Sequence, residues 1–274
     1  MGFIRLLLAI SVVSAHSGIH PFFYLVGGTV AVKTFYIISG FYIAMIINNY
    51  KDNTSFYISR YLRLFPVYFF CFLITFIIWS GINFKGLKLF DNDELSIYSN
   101  IFILLSNIFI FFQDIVMFLG IDDGNLHFVK YINSSDLPLN HFLFVPQAWT
   151  LGLELSFYLI APLIVKKRNI KLIIFLIILS LAIRVILILF DYKGDPWTYR
   201  FFPSELALFL LGSLSYYLFR NSKIKITKSK FYLIYIIIIL YTVCYAYLPF
   251  IGRSLIYFAI ISLSVWFVFD KTKN

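Results

Sequence analysis

Nine apolar runs, at residues 3–15, 29–48, 64–82, 97–120, 148–165, 170–190, 203–219, 231–248 and 254–269, constrain this chain more than any other feature. Most approach the ~17 to 25 residues that carry a helix across a bilayer. With 61% hydrophobic and 13% charged residues and a mean hydropathy of +0.88, a water-soluble globule of this size would lack polar surface, so the bilayer acts as solvent. The expected architecture is all-α: one polytopic transmembrane helix bundle over residues 1–274, with about nine to ten spans. Arg5 ahead of an apolar stretch ending in small residues has the look of a signal peptide, but His16 and the continuing hydrophobic chain argue against cleavage.

Charge sets the orientation. The formal charge of +10 is gathered in short clusters between apolar runs, as in cytoplasmic loops, which argues against a nucleic-acid partner. Lys51, Arg60 and Arg63, then Lys166, Lys167, Arg168 and Lys171, then Arg220, Lys223, Lys225, Lys228 and Lys230 are expected on the cytoplasmic side, with Lys271 and Lys273. Nine crossings cannot leave both ends inside, so one segment is miscounted or re-entrant. The stretch 84–148 is the least hydrophobic and holds Asp91, Asp93, Glu94, Asp122, Asp123 and Asp136; its part between Gly120 and Trp149 is expected outside and partly folded back into the membrane. Cys71 and Cys244 lie in apolar runs, which argues against a disulfide framework. His20, His127 and His141 lack metal-ligand spacing, and no metal site is expected.

An ionised side chain at the centre of a membrane helix costs at least ~2.5 to 3.5 kcal/mol, so each one inside an apolar run is a candidate for function. Arg5 and His16 stand eleven residues apart in RLLLAISVVSAH. On a helix that is about 16 Å and close to three turns, which places both on one face and His16 near the bilayer middle. Imidazole there can take a proton from a hydroxyl and return it; a snorkelling Arg with a helix-end His bonded to backbone also explains the spacing. Glu154, in an otherwise apolar span, either orients that imidazole, holds a substrate hydroxyl, or makes a structural ion pair. Arg60 and Arg63 share a helix face and can clamp the phosphates of an anionic donor, or simply mark the cytoplasmic side. Arg200 stands with Glu205 around Pro203, which can open a helix with the carboxylate in its first turn. Lys33, Asp114 and Arg184 are also in apolar runs, with no partner evident in the sequence.

These patches together resemble the acyltransferase 3 family of bacterial membrane proteins. The resemblance rests on Arg5 and His16; on Phe35, Tyr36, Ser39, Gly40 and Phe41 in KTFYIISGF; on Arg60, Arg63, Pro66 and Tyr68 in SRYLRLFPVY; on Trp149, Leu151, Glu154, Phe157 and Tyr158 in AWTLGLELSFY; and loosely on Arg200 to Gly212. Members often carry a second acid after the glutamate, where this chain has Leu155, and their core typically has about ten helices. The resemblance implies O-acyl transfer, acetyl in most polysaccharide relatives, from acyl-CoA to a hydroxyl of a cell-surface or lipid-linked glycan such as O-antigen, capsule or exopolysaccharide. It implies a bacterial cytoplasmic (inner) membrane location and glycan-assembly proteins as partners. It gives catalytic roles to His16, Arg5 and Glu154, donor contacts to Arg60, Arg63, Ser39 and Tyr68, and acceptor contacts to Trp149, Arg200 and Glu205. Direct transfer and transfer through an acyl-histidine both remain open. The competing reading is a proton-coupled exporter or flippase of a glycan precursor or small organic acid, which would move its substrate unmodified. A membrane scaffold without activity leaves the buried Arg, His and Glu unexplained.

Overall fold

The structure is a computed structural model that describes residues 2–17, 24–83, 95–220, 227–249 and 252–272. His20, Asp91, Asp93, Glu94, Lys223, Lys225 and Lys273 lie outside the described residues. Among the described residues the fold is all-helical apart from one small sheet. In chain order the elements are α1 (Gly2–Ser17), α2 (Gly27–Ile46), α3 (Asn53–Asn83), α4 (Ile97–Phe109), α5 (Gln113–Val116), β1 (Leu119–Asp122), β2 (Asn125–Phe128), β3 (Leu137–Pro138), α6 (Trp149–Ile164), α7 (Ile170–Leu189), α8 (Phe202–Arg220), α9 (Lys228–Cys244) and α10 (Arg253–Thr272).

Six stretches among the described residues are long and apolar enough to cross a membrane: Gly27–Asn49, Asn53–Trp79, Pro146–Ile164, Ile170–Leu189, Phe202–Arg220 and Lys228–Tyr247. Gly2–Ser17, Ile97–Phe109 and Arg253–Val265 are apolar but shorter. Polar caps set several helix starts. Asp52 Oδ1 accepts from the Ser55 amide (2.6 Å), Ser96 Oγ from that of Ser99 (3.1 Å) and Asn169 Oδ1 from that of Leu172 (3.1 Å), each satisfying a donor that the first helical turn leaves open.

The expected run over 97–120 is not one span. α4 stops at Phe109, and Ile110 and Phe112 take positive φ values of 69° and 68°. Two such reversals end the helix whatever the hydropathy of its side chains, and the chain continues into α5 and then β1.

The chain divides into two compact units, interleaved in sequence: residues 1–49, 161–179 and 206–274 form one, and residues 50–160 and 180–205 the other. In the first, α1 packs on α2, α2 on α10, and α9 on α10, the last pair joined by a Thr242–Tyr257 hydroxyl contact of 2.9 Å. α2 and α8 touch backbone to backbone. A Cβ on Gly40 would overlap the Phe209 carbonyl, one on Gly212 would overlap that of Ile37, and Ser213 Oγ donates to the Gly40 carbonyl at 2.9 Å. Small residues at a helix crossing permit this approach in lipid, where packing and hydrogen bonds hold helices together.

In the second unit, α3 packs on α4 and carries an aromatic ladder along one face, Tyr61, Phe65, Phe69, Phe72 and Phe76, with successive ring centroids 5.0 to 6.1 Å apart. The sheet is antiparallel in the order β2-β1-β3, with Gly120 opposite His127 and Pro138. Trp197 Nε1 donates to the Val129 carbonyl (2.9 Å) and Lys130 Nζ pairs with Asp191 (2.8 Å), tying the strand exit to the loop after α7.

Residues 139–148 run beside α3 as short 3-10 turns and irregular backbone. Phe144 packs edge-on against Phe72 and Phe76, each at 5.5 Å, inside the length of α3 that is apolar enough to span. The stretch between Gly120 and Trp149 is expected to fold partly back into the membrane; here part of it folds back against α3. Irregular backbone packed against a helix needs hydrogen-bond partners from the protein. Asn107 supplies the partners: its Nδ2 donates to the Phe142 carbonyl (3.0 Å) and its Oδ1 accepts from the Phe144 amide (2.9 Å).

Candidate active site

His16 stands on the last turn of α1, exposed. Its Nδ1 lies 2.8 Å from the Val12 carbonyl, an atom that only accepts, so the neutral ring carries its proton on Nδ1 and presents a bare Nε2. A helix-end histidine bonded to backbone is one of the two readings the sequence left open, and every helix offers such a carbonyl four residues back. Ala15 and His16 face Gly28 at the start of α2: a Cβ on Gly28 would come within 3.1 Å of the Ala15 Cβ and 4.0 Å of His16 Cε1. Arg5 is also exposed, with its guanidinium carbon 6.0 Å from the Tyr42 ring centroid. The helix rise that separates Arg5 from His16 remains, and Arg5 meets α2 instead. Ser39 is half-buried on α2; its neighbour Gly40 serves the α2–α8 crossing.

In the other unit, Arg60 and Arg63 divide. Arg60 is buried, and its Nη2 donates to Tyr50 Oη (2.6 Å) and Ser59 Oγ (3.2 Å). Arg63 is exposed and lines a cavity of about 440 Å³ together with Leu64, Val67, Tyr68, Gln147 and Thr150. Cys71, Val145, Ala148 and Leu151 complete the wall. One cation in a mostly apolar recess suits a ligand with an apolar body and an anionic group. Tyr68 is fixed there by its hydroxyl, which donates to the Asn107 carbonyl and accepts from Gln113 Nε2 at 2.6 Å.

Glu154 lies one turn further along α6 than Thr150 and Leu151, on the same face. It accepts a hydrogen bond from Tyr158, which is itself buried against Phe56. Gln147 and Thr150 were missed by sequence reasoning, although polar residues flanking Trp149 at the head of an apolar run are a signal. Trp149 and Arg200 come together: the guanidinium carbon sits 4.3 Å from the Trp149 ring centroid. Arg200 also pairs through Nε and Nη2 with both oxygens of Asp195 (2.6 and 2.7 Å), a fork-to-fork geometry that fixes its plane. Glu205 is fully buried and accepts from Arg184 Nη2 at 2.8 Å, while the same nitrogen donates to the Ser204 carbonyl at 2.7 Å. Arg184 thereby gains the partner that the sequence left unassigned. Asp114 packs onto Gly152 of α6, where a Cβ would come within 2.8 Å of its carboxylate.

A family model for acyltransferase 3, described as an acyltransferase domain, covers residues 1–270. The chain belongs to the acyltransferase 3 family. It is therefore a membrane-bound acyltransferase of multi-pass, helical construction. No curated protein and no solved structure matches it. For an acyltransferase 3 protein, the position after Glu154 is telling: Leu155 is 3% exposed, a setting in which a second carboxylate would require its own buried partner.

Proposed function

We propose that this acyltransferase moves an acyl group, acetyl in the simplest case, from acyl-CoA to a hydroxyl of a cell-surface or lipid-linked glycan at the cytoplasmic membrane of a bacterium. The observation that carries the mechanism is the Nδ1 contact of His16 with the Val12 carbonyl. With the proton on Nδ1, Nε2 takes the acceptor O–H proton as the hydroxyl oxygen attacks the thioester carbonyl. The C–O bond forms, the C–S bond breaks, and the proton passes from Nε2 to the departing CoA sulfur. The imidazole thus acts as base and then acid in one cycle.

Arg60 is engaged by Tyr50 and Ser59, so we assign the donor's negative charge to Arg63 and its pantetheine arm to the apolar walls of the Arg63 cavity. Ser39 stays an expected donor contact on α2. Glu154, aligned by Tyr158, is assigned to hold a substrate hydroxyl. Trp149 and Arg200 offer an aromatic face backed by a guanidinium, chemistry suited to a sugar ring, whereas Glu205 is held by Arg184 and is assigned a structural part.

The test is to express wild type and His16→Ala at equal membrane levels in a bacterium lacking its own acetylating enzymes, then to measure its surface glycans by mass spectrometry. An acetyl mass increment present in wild type and absent in the variant is the expected result. Full activity in His16→Ala overturns the mechanism. Purified protein that stays silent with acetyl-CoA and a panel of glycans overturns the acetyl-to-glycan assignment and favours export.

A further inference from the structure

Charge is divided unevenly between the two units. The unit built from residues 1–49, 161–179 and 206–274 holds fourteen of the 23 Lys and Arg but one of the 13 acids, Asp270. Two of its arginines, Arg168 and Arg220, line a second cavity of about 240 Å³ together with Tyr217 and Ile170. Both are exposed, and neither forms an ion pair among the described residues.

The cavity is built rather than incidental. The Val165 carbonyl accepts from the Arg168 amide (3.0 Å) and from the Tyr217 hydroxyl (2.7 Å), so one oxygen fixes both the loop and the buried tyrosine. Arg168 turns the chain with φ +53°. Asn169 caps α7, whose first residue Ile170 forms part of the wall, so the positive end of a 20-residue helix adds to the two guanidiniums. Arg220 closes α8 beside the Tyr216 ring, 5.8 Å from its centroid.

We propose that Arg168 and Arg220, with the N-terminus of α7, form a phosphate-ester binding site at the basic end of α6, α7 and α8. Two planar forks and a helix N-terminus recognise phosphate oxygens. The volume lies below the roughly 300 to 1,000 Å³ of pockets that enclose a drug-sized ligand, so the cavity takes a phosphate group and its immediate ester linkage rather than a whole nucleotide. By the distribution of Lys and Arg this end faces the cytoplasm, where phosphate esters come from two sources: anionic phospholipid headgroups and the 3′-phosphate of CoA. The site shares no residue with the Arg63 cavity, and its existence does not rest on the acyl-transfer assignment.

The test uses the purified full chain. Native mass spectrometry compares retention of phosphatidylglycerol with phosphatidylcholine, and calorimetry compares CoA with 3′-dephospho-CoA, for wild type, Arg168→Gln and Arg220→Gln. Wild type should prefer one phosphate-bearing ligand of these pairs, and each variant should weaken that binding by about tenfold. Preference for phosphatidylglycerol identifies a headgroup site, and preference for CoA identifies the donor's 3′-phosphate. Equal binding by wild type and both variants overturns the proposal. Should the variants fail to fold, pyrophosphate competition against wild type decides: displacement of the bound ligand supports the site, and failure to displace it overturns it. Every readout is binding, so the result stands whether or not the protein transfers an acyl group.

Discussion

Gly40 on α2 lies directly against the carbonyl of Phe209 on α8, with no room for even a methyl group between them. The Tyr36 and Phe209 rings stack 4.6 Å apart just beside this contact. Gly40→Ala should therefore push two backbones apart, at a cost of about 1 to 3 kcal/mol. Thermal unfolding in detergent should show a lowered Tm. An unchanged Tm would mean that the helices do not meet there.

Arg60 and Arg63 should fail differently. Arg63→Gln removes the only cation among the described residues lining the 440 Å³ cavity and is expected to raise the KM for acyl-CoA about tenfold, a loss near 1.4 kcal/mol, with the melting temperature kept. Arg60→Gln strips a donor from Tyr50 and Ser59 and acts first on stability, by about 1 to 3 kcal/mol. Steady-state kinetics beside melting curves separate the two, and identical profiles would dissolve the distinction.

The Arg184–Glu205 pair, with side chains 23% and 0% exposed, predicts strong non-additivity. Glu205→Ala leaves a guanidinium without its counter-charge and should destabilise by about 3 to 5 kcal/mol. The double variant Arg184→Met, Glu205→Leu should regain most of that loss, because neither charge is then left inside. A double-mutant cycle on Tm checks this, and additive effects would contradict it.

The Lys130–Asp191 bridge gives a pH prediction for the loop after α7. Its hydrogen bond raises the Lys130 pKa and lowers that of Asp191. The carboxylate's share of stability is present above the ordinary Asp range and is lost as pH falls through the lowered value. The ammonium's share is present below the ordinary Lys range and is lost as pH rises through the raised value. Amide exchange at Ile132, which donates to the Asp195 carbonyl at 3.1 Å, should then show constant protection across neutral pH after correction for intrinsic rates. Lys130→Ala should lower that protection, and a loss of protection centred on neutrality would implicate another group.

Most of the helical architecture was legible in the apolar runs, because membrane helices must carry continuous apolar surface. The run over 97–120 misled for a physical reason: Ile110 and Phe112 are apolar, and hydropathy has no access to their positive φ values. Family motifs singled out His16, Arg60, Arg63 and Glu154 but could not tell Arg63 from Arg60. Helical spacing puts both on one face, whereas their partners depend on Tyr50, which lies before the helix begins. The sequence set Arg200 beside Glu205 and left Arg184 unassigned, whereas folding pairs Arg184 with Glu205 and Arg200 with Asp195, partners that local spacing does not reveal.

The hydrogen bonds of Asn107 to Phe142 and Phe144 hold a non-helical turn beside a helix apolar enough to span a membrane. A carboxamide carries no charge, so neither a change of proton concentration nor added salt can weaken this clasp as it would an ion pair. The shape of the turn leading into α6, and with it the placement of Gln147 and Thr150 at the Arg63 cavity, is thereby insulated from the ionic state of the medium on either side of the membrane.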